Sequence, residues 1–297
     1  MKYRITLLIL LAVNFVIAQD YYSEFLRACE STEIDNRSEI LDKWEETDPS
    51  SPELFTSRFN YHFTNSQQEV LELKTGEPQG DALVIQDSLG NVAGYMGSSI
   101  LYDSLELEKA FKYIEKGIEL YPERLDMRFG KTYAYGQLNN WGKFTSEIIE
   151  TIKHSSSKSN FWLWTNNEQK EGDNEFMLSA IQDYQLQLYN TGNDKLLLNM
   201  RQIANTVLDQ YPNHIESLSN LSITYTLLGE LDKALEPLLK AESINPDDYI
   251  VIANIANTYK EMANKAKAIE YYKKLMKFDV EGVANFANQQ IELLEKE

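Results

Sequence analysis

The chain carries one cysteine, seven prolines and three histidines among its 297 residues. A single thiol, Cys29, excludes an internal disulfide whatever the redox compartment, so packing alone must hold the fold. Cys29 stands four residues after Phe25, on one face of a helix, and the expectation for it is a buried apolar role rather than a reactive one. His62, His154 and His214 are far apart in sequence, and none has metal-ligand spacing with Cys, Asp or another His. Catalytic signatures are equally scarce. Gly130-Lys131-Thr132 imitates the end of a phosphate-binding loop, but Leu125 stands where that loop needs glycine, and the surrounding pattern is helical. No Gly-x-Ser-x-Gly occurs. The expectation is a protein that is not an enzyme and holds no metal or cofactor.

Positive charge is also in short supply. Lys and Arg total 28 against 46 Asp and Glu, a formal charge of −18, and the basic residues alternate with acids, as in Glu115-Lys116 and Lys267–Lys274. Nucleic acid needs clustered cations and is excluded as a partner. Calcium finds no Asp-rich loop, because Asp247-Asp248 reads as a helix start and Gly192-Asn193-Asp194 as a turn. The excess of acid reads as solvated helix faces.

Long apolar runs are limited to one. Ile5–Ile17 follows Lys2 and Arg4, and Val16-Ile17-Ala18 supplies residues suited to cleavage. Thirteen positions fall short of the ~20 that a spanning helix needs. Residues 1–18 are therefore expected to be a signal peptide that sends the rest of the chain, 19–297, to a periplasm or out of the cell. No cysteine follows the run to take a lipid, and the mature chain, with a charge of −20, is expected to have no stable membrane insertion.

What the sequence does have is a period. Ile215–Asp248 is repeated one for one in Tyr249–Gly282, each 34 residues long. Leu218, Ser222, Tyr225, Ala234, Leu235 and Leu238 recur as Ile252, Ala256, Tyr259, Ala268, Ile269 and Tyr272. Apolar residues fall at three- and four-residue steps on either side of Gly229-Glu230, which is the pattern of two antiparallel helices joined by a tight turn. Ser222 with Ala234, and Ala256 with Ala268, are small where the helices of each pair would cross. Pro237 lies within the second helix and forfeits one backbone hydrogen bond there, yet the period continues on both sides.

These residues resemble the tetratricopeptide repeat, whose pattern asks for small residues where Ser222, Ala234 and Ala241 stand, an aromatic at Tyr225 and a proline at Pro246. Degenerate copies are read at Asn91–Pro122 (Ser98, Ala110), Leu125–Lys158 (Thr132, Tyr135) and Ile181–Pro212 (Tyr184, Ala204), with a looser unit at Asp20–Asp48. Phe144 and Met200 replace small residues, so hairpin packing there must differ. The resemblance implies an all-α, right-handed solenoid of helical hairpins, closed by a capping helix within 283–297.

Two inserts interrupt the repeats. Residues 66–95 contain strand-like runs at Val70–Leu73 and Ala82–Gln86, then Ser88-Leu89-Gly90-Asn91 as a turn into Val92–Tyr95, and so predict a small β-hairpin, either a recognition edge or a packed decoration. Residues 155–174 hold Phe161-Trp162-Leu163-Trp164, with Trp162 and Trp164 expected to fold back as a plug or to form an exposed patch.

By resemblance, the first helix of each hairpin lines a concave groove. The implied positions are Phe129 and Tyr133, then Gln182, Gln185 and Tyr189, then Ser219, Asn220, Ile223, Asn254, Asn257 and Lys260. Their amides and aromatics suit a peptide, while Asn220 and Asn254 have a second reading as ties between hairpins. The implied function is an exported, non-catalytic adaptor for a protein or peptide. The alternative is a binder of a glycan or other small ligand at the second insert and the groove.

Overall fold

The computed structural model describes residues 21–30, 36–76, 82–157, 161–169 and 174–296, so the expected signal peptide lies outside the described residues. Packing divides the chain into two units, Met1–Ala134 with Leu163–Glu168, and Tyr135–Trp162 with Gln169–Glu297.

The first unit begins with α1 (residues 21–30), α2 (Arg37–Thr47) and α3 (Pro52–Asn65). Thr47-Asp48-Pro49 ends α2, and Pro52, at the start of α3, has the fixed φ that a first helical turn accepts. Phe25, Ile40, Leu41, Trp44 and Leu54 bury one core among these helices. Cys29 is exposed, contrary to expectation. The buried stripe of α1 runs through Phe25 and half-buried Ala28, and Cys29 falls one position off it.

The helix that packs against α3 is α4 (Ser104–Leu120), and a sheet is inserted in the turn between them. Strands β1 (Gln67–Lys74), β3 (Val92–Tyr102) and β2 (Leu83–Gln86) form an antiparallel sheet in the order β1-β3-β2. The expected insert is present, but its third strand is longer than the sequence showed and lies in the centre. This overturns the reading of Asn91–Pro122 as a repeat. Its first half is β3, where Gly94 and Gly97 interrupt any helical period, and α3 takes the place of the missing helix. Asp103 accepts from the amides of Leu105 and Glu106 and so caps α4. Phe55, Phe59 and Phe63, at four-residue steps on α3, then close a second core with Ala110, Ile114 and Met127.

The C-terminal side of α5 (Leu125–Gln137) leads into the second unit, which continues with α6 (Trp141–Ser157), α7 (Asn174–Asn190), α8 (Leu197–Gln210), α9 (Ile215–Leu227), α10 (Leu231–Ile244), α11 (Tyr249–Glu261), α12 (Lys265–Leu275) and α13 (Val283–Lys296). From α8 onward helices pack on their neighbours in the chain and α9 also meets α11, while α6 packs on α8 across α7. Ser222, Ala234, Ala256 and Ala268 are all buried at the crossings, as the period predicts. The helix α10 runs unbroken through Pro237, which is buried against the hairpin. Helix α13 covers the last hairpin with Ala287, Ile291 and Leu294.

Candidate functional site

Inter-helix turns fix which side chains of α7, α9 and α11 reach solvent. In the C-terminal hairpins Gly229 (φ 74°) and Ala263 (φ 56°) take the left-handed conformation, and their amides bond to the carbonyls of Thr226 and Lys260. Gly192 (φ 64°) repeats this with its amide on Tyr189. By that equivalence Gln185 corresponds to Ser222 and Ala256, the small interior position, and Leu186 corresponds to Ile223 and Asn257 on the open face. The turn from Thr191 to Leu196 is longer than its counterparts, which shifts α7 by three residues against the register that Pro212 and Ala204 imply.

This shift corrects the place of Gln185. It is 1% exposed, and among the described residues neither its Oε1 nor its Nε2 has a hydrogen-bond partner. Leu186 is 55% exposed and Tyr189 47%. On α9 Ser219 and Ile223 are half-buried, and on α11 Asn254 is half-buried and Asn257 exposed.

Several of the expected groove residues are committed to the fold. Asn220 is buried and exchanges two amide hydrogen bonds with Gln182, at 2.8 and 3.2 Å, tying α9 to α7. Asn257 accepts from the Tyr272 hydroxyl at 2.6 Å, and burial pushes that phenol up to about 12. Lys260 donates to Gln290 of the capping helix. In the first unit Phe129 is buried with its ring edge-on to Trp164, while Tyr133 is exposed and meets Phe63 edge-on.

The insert aromatics are not a patch. Trp162 is buried against His154 in the second unit. In the first unit Leu163 bonds through its backbone to Glu123 and Leu125. Arg124, 1% exposed, there binds Asp126 and Glu53 and reaches Asn167. A buried guanidinium needs both carboxylates to be tolerated, and the amide of Asn166 shares Glu53 with it. The plug expected of this segment is what forms.

A cavity of about 580 Å³ opens beside Leu186, lined by Trp141, Gln137, Asn139, Asp183, Gln187 and Asn190 among others. Gly136 is part of the lining. A Cβ there would stand 2.8 Å from Gln187 Nε2 and 3.2 Å from the Phe144 ring. The lining is uncharged apart from Asp183, and the amides offer both donors and acceptors.

A family model described as tetratricopeptide repeat matches residues 215–248 and 251–279, and these two segments are tetratricopeptide repeats. No curated protein matches the chain. Among solved structures, similarity extends to PilW, titled a widely conserved type IV pilus biogenesis factor, at 10% identity over 91% of this chain and 98% of that one, with a TM-score of 0.40. It extends to pilF of Pseudomonas aeruginosa at 9% identity, 94% and 98% coverage and a TM-score of 0.38. A third is the TPR2AB domain of yeast Sti1 in complex with pHSP90, at 11% identity, 95% and 98% coverage and a TM-score of 0.32.

Proposed function

We propose that this tetratricopeptide-repeat chain is a non-catalytic scaffold that holds a segment of a partner protein on the open face of α7, α9 and α11. The observation that carries the reading is the apolar centre of that face. Leu186 and Tyr189 are exposed on α7, and Ser219 and Ile223 on α9 and Asn254 and Asn257 on α11 also reach solvent, with α7 tied to α9 through Gln182 and Asn220. Rigid helices hold these side chains at fixed spacing, so a docking segment finds a preorganised surface and only its own freedom is lost. Tyrosine adds contact area at little entropic cost, and the flanking amides suit a peptide backbone.

A pull-down from native cells tests this. Wild-type bait should retain one protein that Leu186→Asp with Tyr189→Ala releases, while circular dichroism stays unchanged. Equal retention by the double variant would sink the reading. Export is part of the proposal, resting on Lys2, Arg4 and the run Ile5–Ile17. Intact mass of the native protein should then begin at Gln19.

A second reading, a glycan or other small neutral ligand, is favoured by the cavity beside Leu186. An indole and several amides are the groups that meet the C–H face and the hydroxyls of a sugar. Trp162, once the candidate for this role, is buried, so Trp141 replaces it. Saturable quenching by an oligosaccharide, abolished by Trp141→Ala, would support this reading over the first.

A further inference from the structure

One face of the first unit's sheet is the more apolar and the more exposed of the two. Residues opposite one another in an antiparallel sheet share a face, so Leu73, Met96 and Leu83 form one row across all three strands. Leu71, opposite Ser98, Ile85, opposite Gly94, and Ile100, opposite Glu69, extend the same face. Leu71 is 76% exposed, Leu73 74%, Leu83 66% and Ile100 50%. The opposite face is mixed, carrying Gln68, Glu72 and Lys74 with Val70, Val84, Tyr95 and Leu101, of which Val84 is 53% and Leu101 54% exposed. At its base the sheet meets the helices through Tyr102, stacked on Phe63.

We infer that this face is a homodimer interface, on which the same sheet of a second copy of the chain is laid. The area fits. Its side chains expose on the order of 500 Å² per copy, about 1,000 Å² for a pair, which is the lower bound for a specific interface and large for an isolated patch. The shape fits as well. A flat pleated face is covered most completely by another about 10 Å away, and a two-fold axis sets each leucine row against its equivalent.

Charge selects a second copy at this place and opposes one elsewhere. Two chains of −18 repel each other, yet Glu69 is the only carboxylate or cation on the strand positions of this face, and Glu72 and Lys74 on the far face pair at 3.1 Å. Contact here joins the copies where charge is sparsest. An interface at this lower bound belongs with weak associations, and added salt should tighten it by screening the remainder.

Sedimentation velocity of the purified full chain tests the inference. Wild type should pass from monomer to dimer between about 1 and 200 µM. Leu73→Asp with Leu83→Asp should stay monomeric throughout, and Val84→Asp, on the other face, should dimerise like wild type. A wild type monomeric at the highest concentration, a dimer that survives the double substitution, or one equally lost with Val84→Asp would overturn it. Hydrogen exchange of the wild type alone guards against misfolding of the variants. Raising the concentration should slow amides within 67–102, and slowing confined to other segments, or none, counts against the inference. Monomers that instead bind zwitterionic vesicles through this face would assign it to lipid and also overturn it.

Discussion

Gln185 shows how one residue can sit on a helical stripe for the wrong reason. Its position is interior, where the neighbouring hairpins have Ser222 and Ala256, and its buried amide has no partner among the described residues. Leaving such a group unpaired costs about 1–3 kcal/mol. Gln185→Met keeps the volume and removes the polar atoms, so it should raise Tm by several degrees, read by thermal melting. His214 gives a pH dependence. Its Nδ1 caps α9 by accepting from the Ser217 amide, and burial holds its pKa below the usual 6.5, with Glu216 opposing. Because the folded value is depressed, the neutral form stabilises the fold above pH 6.5, and that stability is lost as pH falls below 6.5 toward the folded value. Melts between pH 7.5 and 5.5 should show a loss that His214→Asn, a cap that does not titrate there, removes. Sequence exposed these residues only partly. Spacing located Asn220 and Gln182 but not their mutual bond, and Cys29 was misplaced because a four-residue step from Phe25 does not say where the stripe is centred.

Among the elements, the C-terminal hairpins were legible because the repeat gives two copies of the same evidence, crossing residues and turn included. Helix α3 was not, since its partner α4 lies beyond an insert of more than thirty residues and no period links them. The strands were visible as alternating runs, yet β3 was cut short at Tyr95, because Gly97 and the serines after it dilute the pattern. Structure explains why such an insert is tolerated. The amide of Asp103 donates to the carbonyl of Ser66 at 2.8 Å, so the sheet leaves and rejoins the hairpin at one point. Loop closure across adjacent ends is cheap. Replacing residues 67–102 with a short turn should therefore preserve the helical circular dichroism and a cooperative melt. A collapse of helicity would show that α3 and α4 need the sheet.

At the scale of the whole molecule, charge and patterning outline two kinds of surface, acidic helices and an apolar sheet, carried on two units. From α8 onward helices touch mainly the helices next to them in the chain, so stability there is close to a sum over neighbours. Helix α13 ends that series, with Phe286 edge-on to Tyr272 and Gln290 bound by Lys260. Truncation before Val283 should speed hydrogen exchange in α11 and α12 while leaving α7 and α8 as they were. Uniform acceleration would mean that the unit melts as one body. This packing on the preceding helix, from α8 onward, bears on how this half is made. From α9 onward a hairpin emerging from the ribosome rests on the one synthesised just before it, so during elongation one greasy flank stays open until α13 covers it.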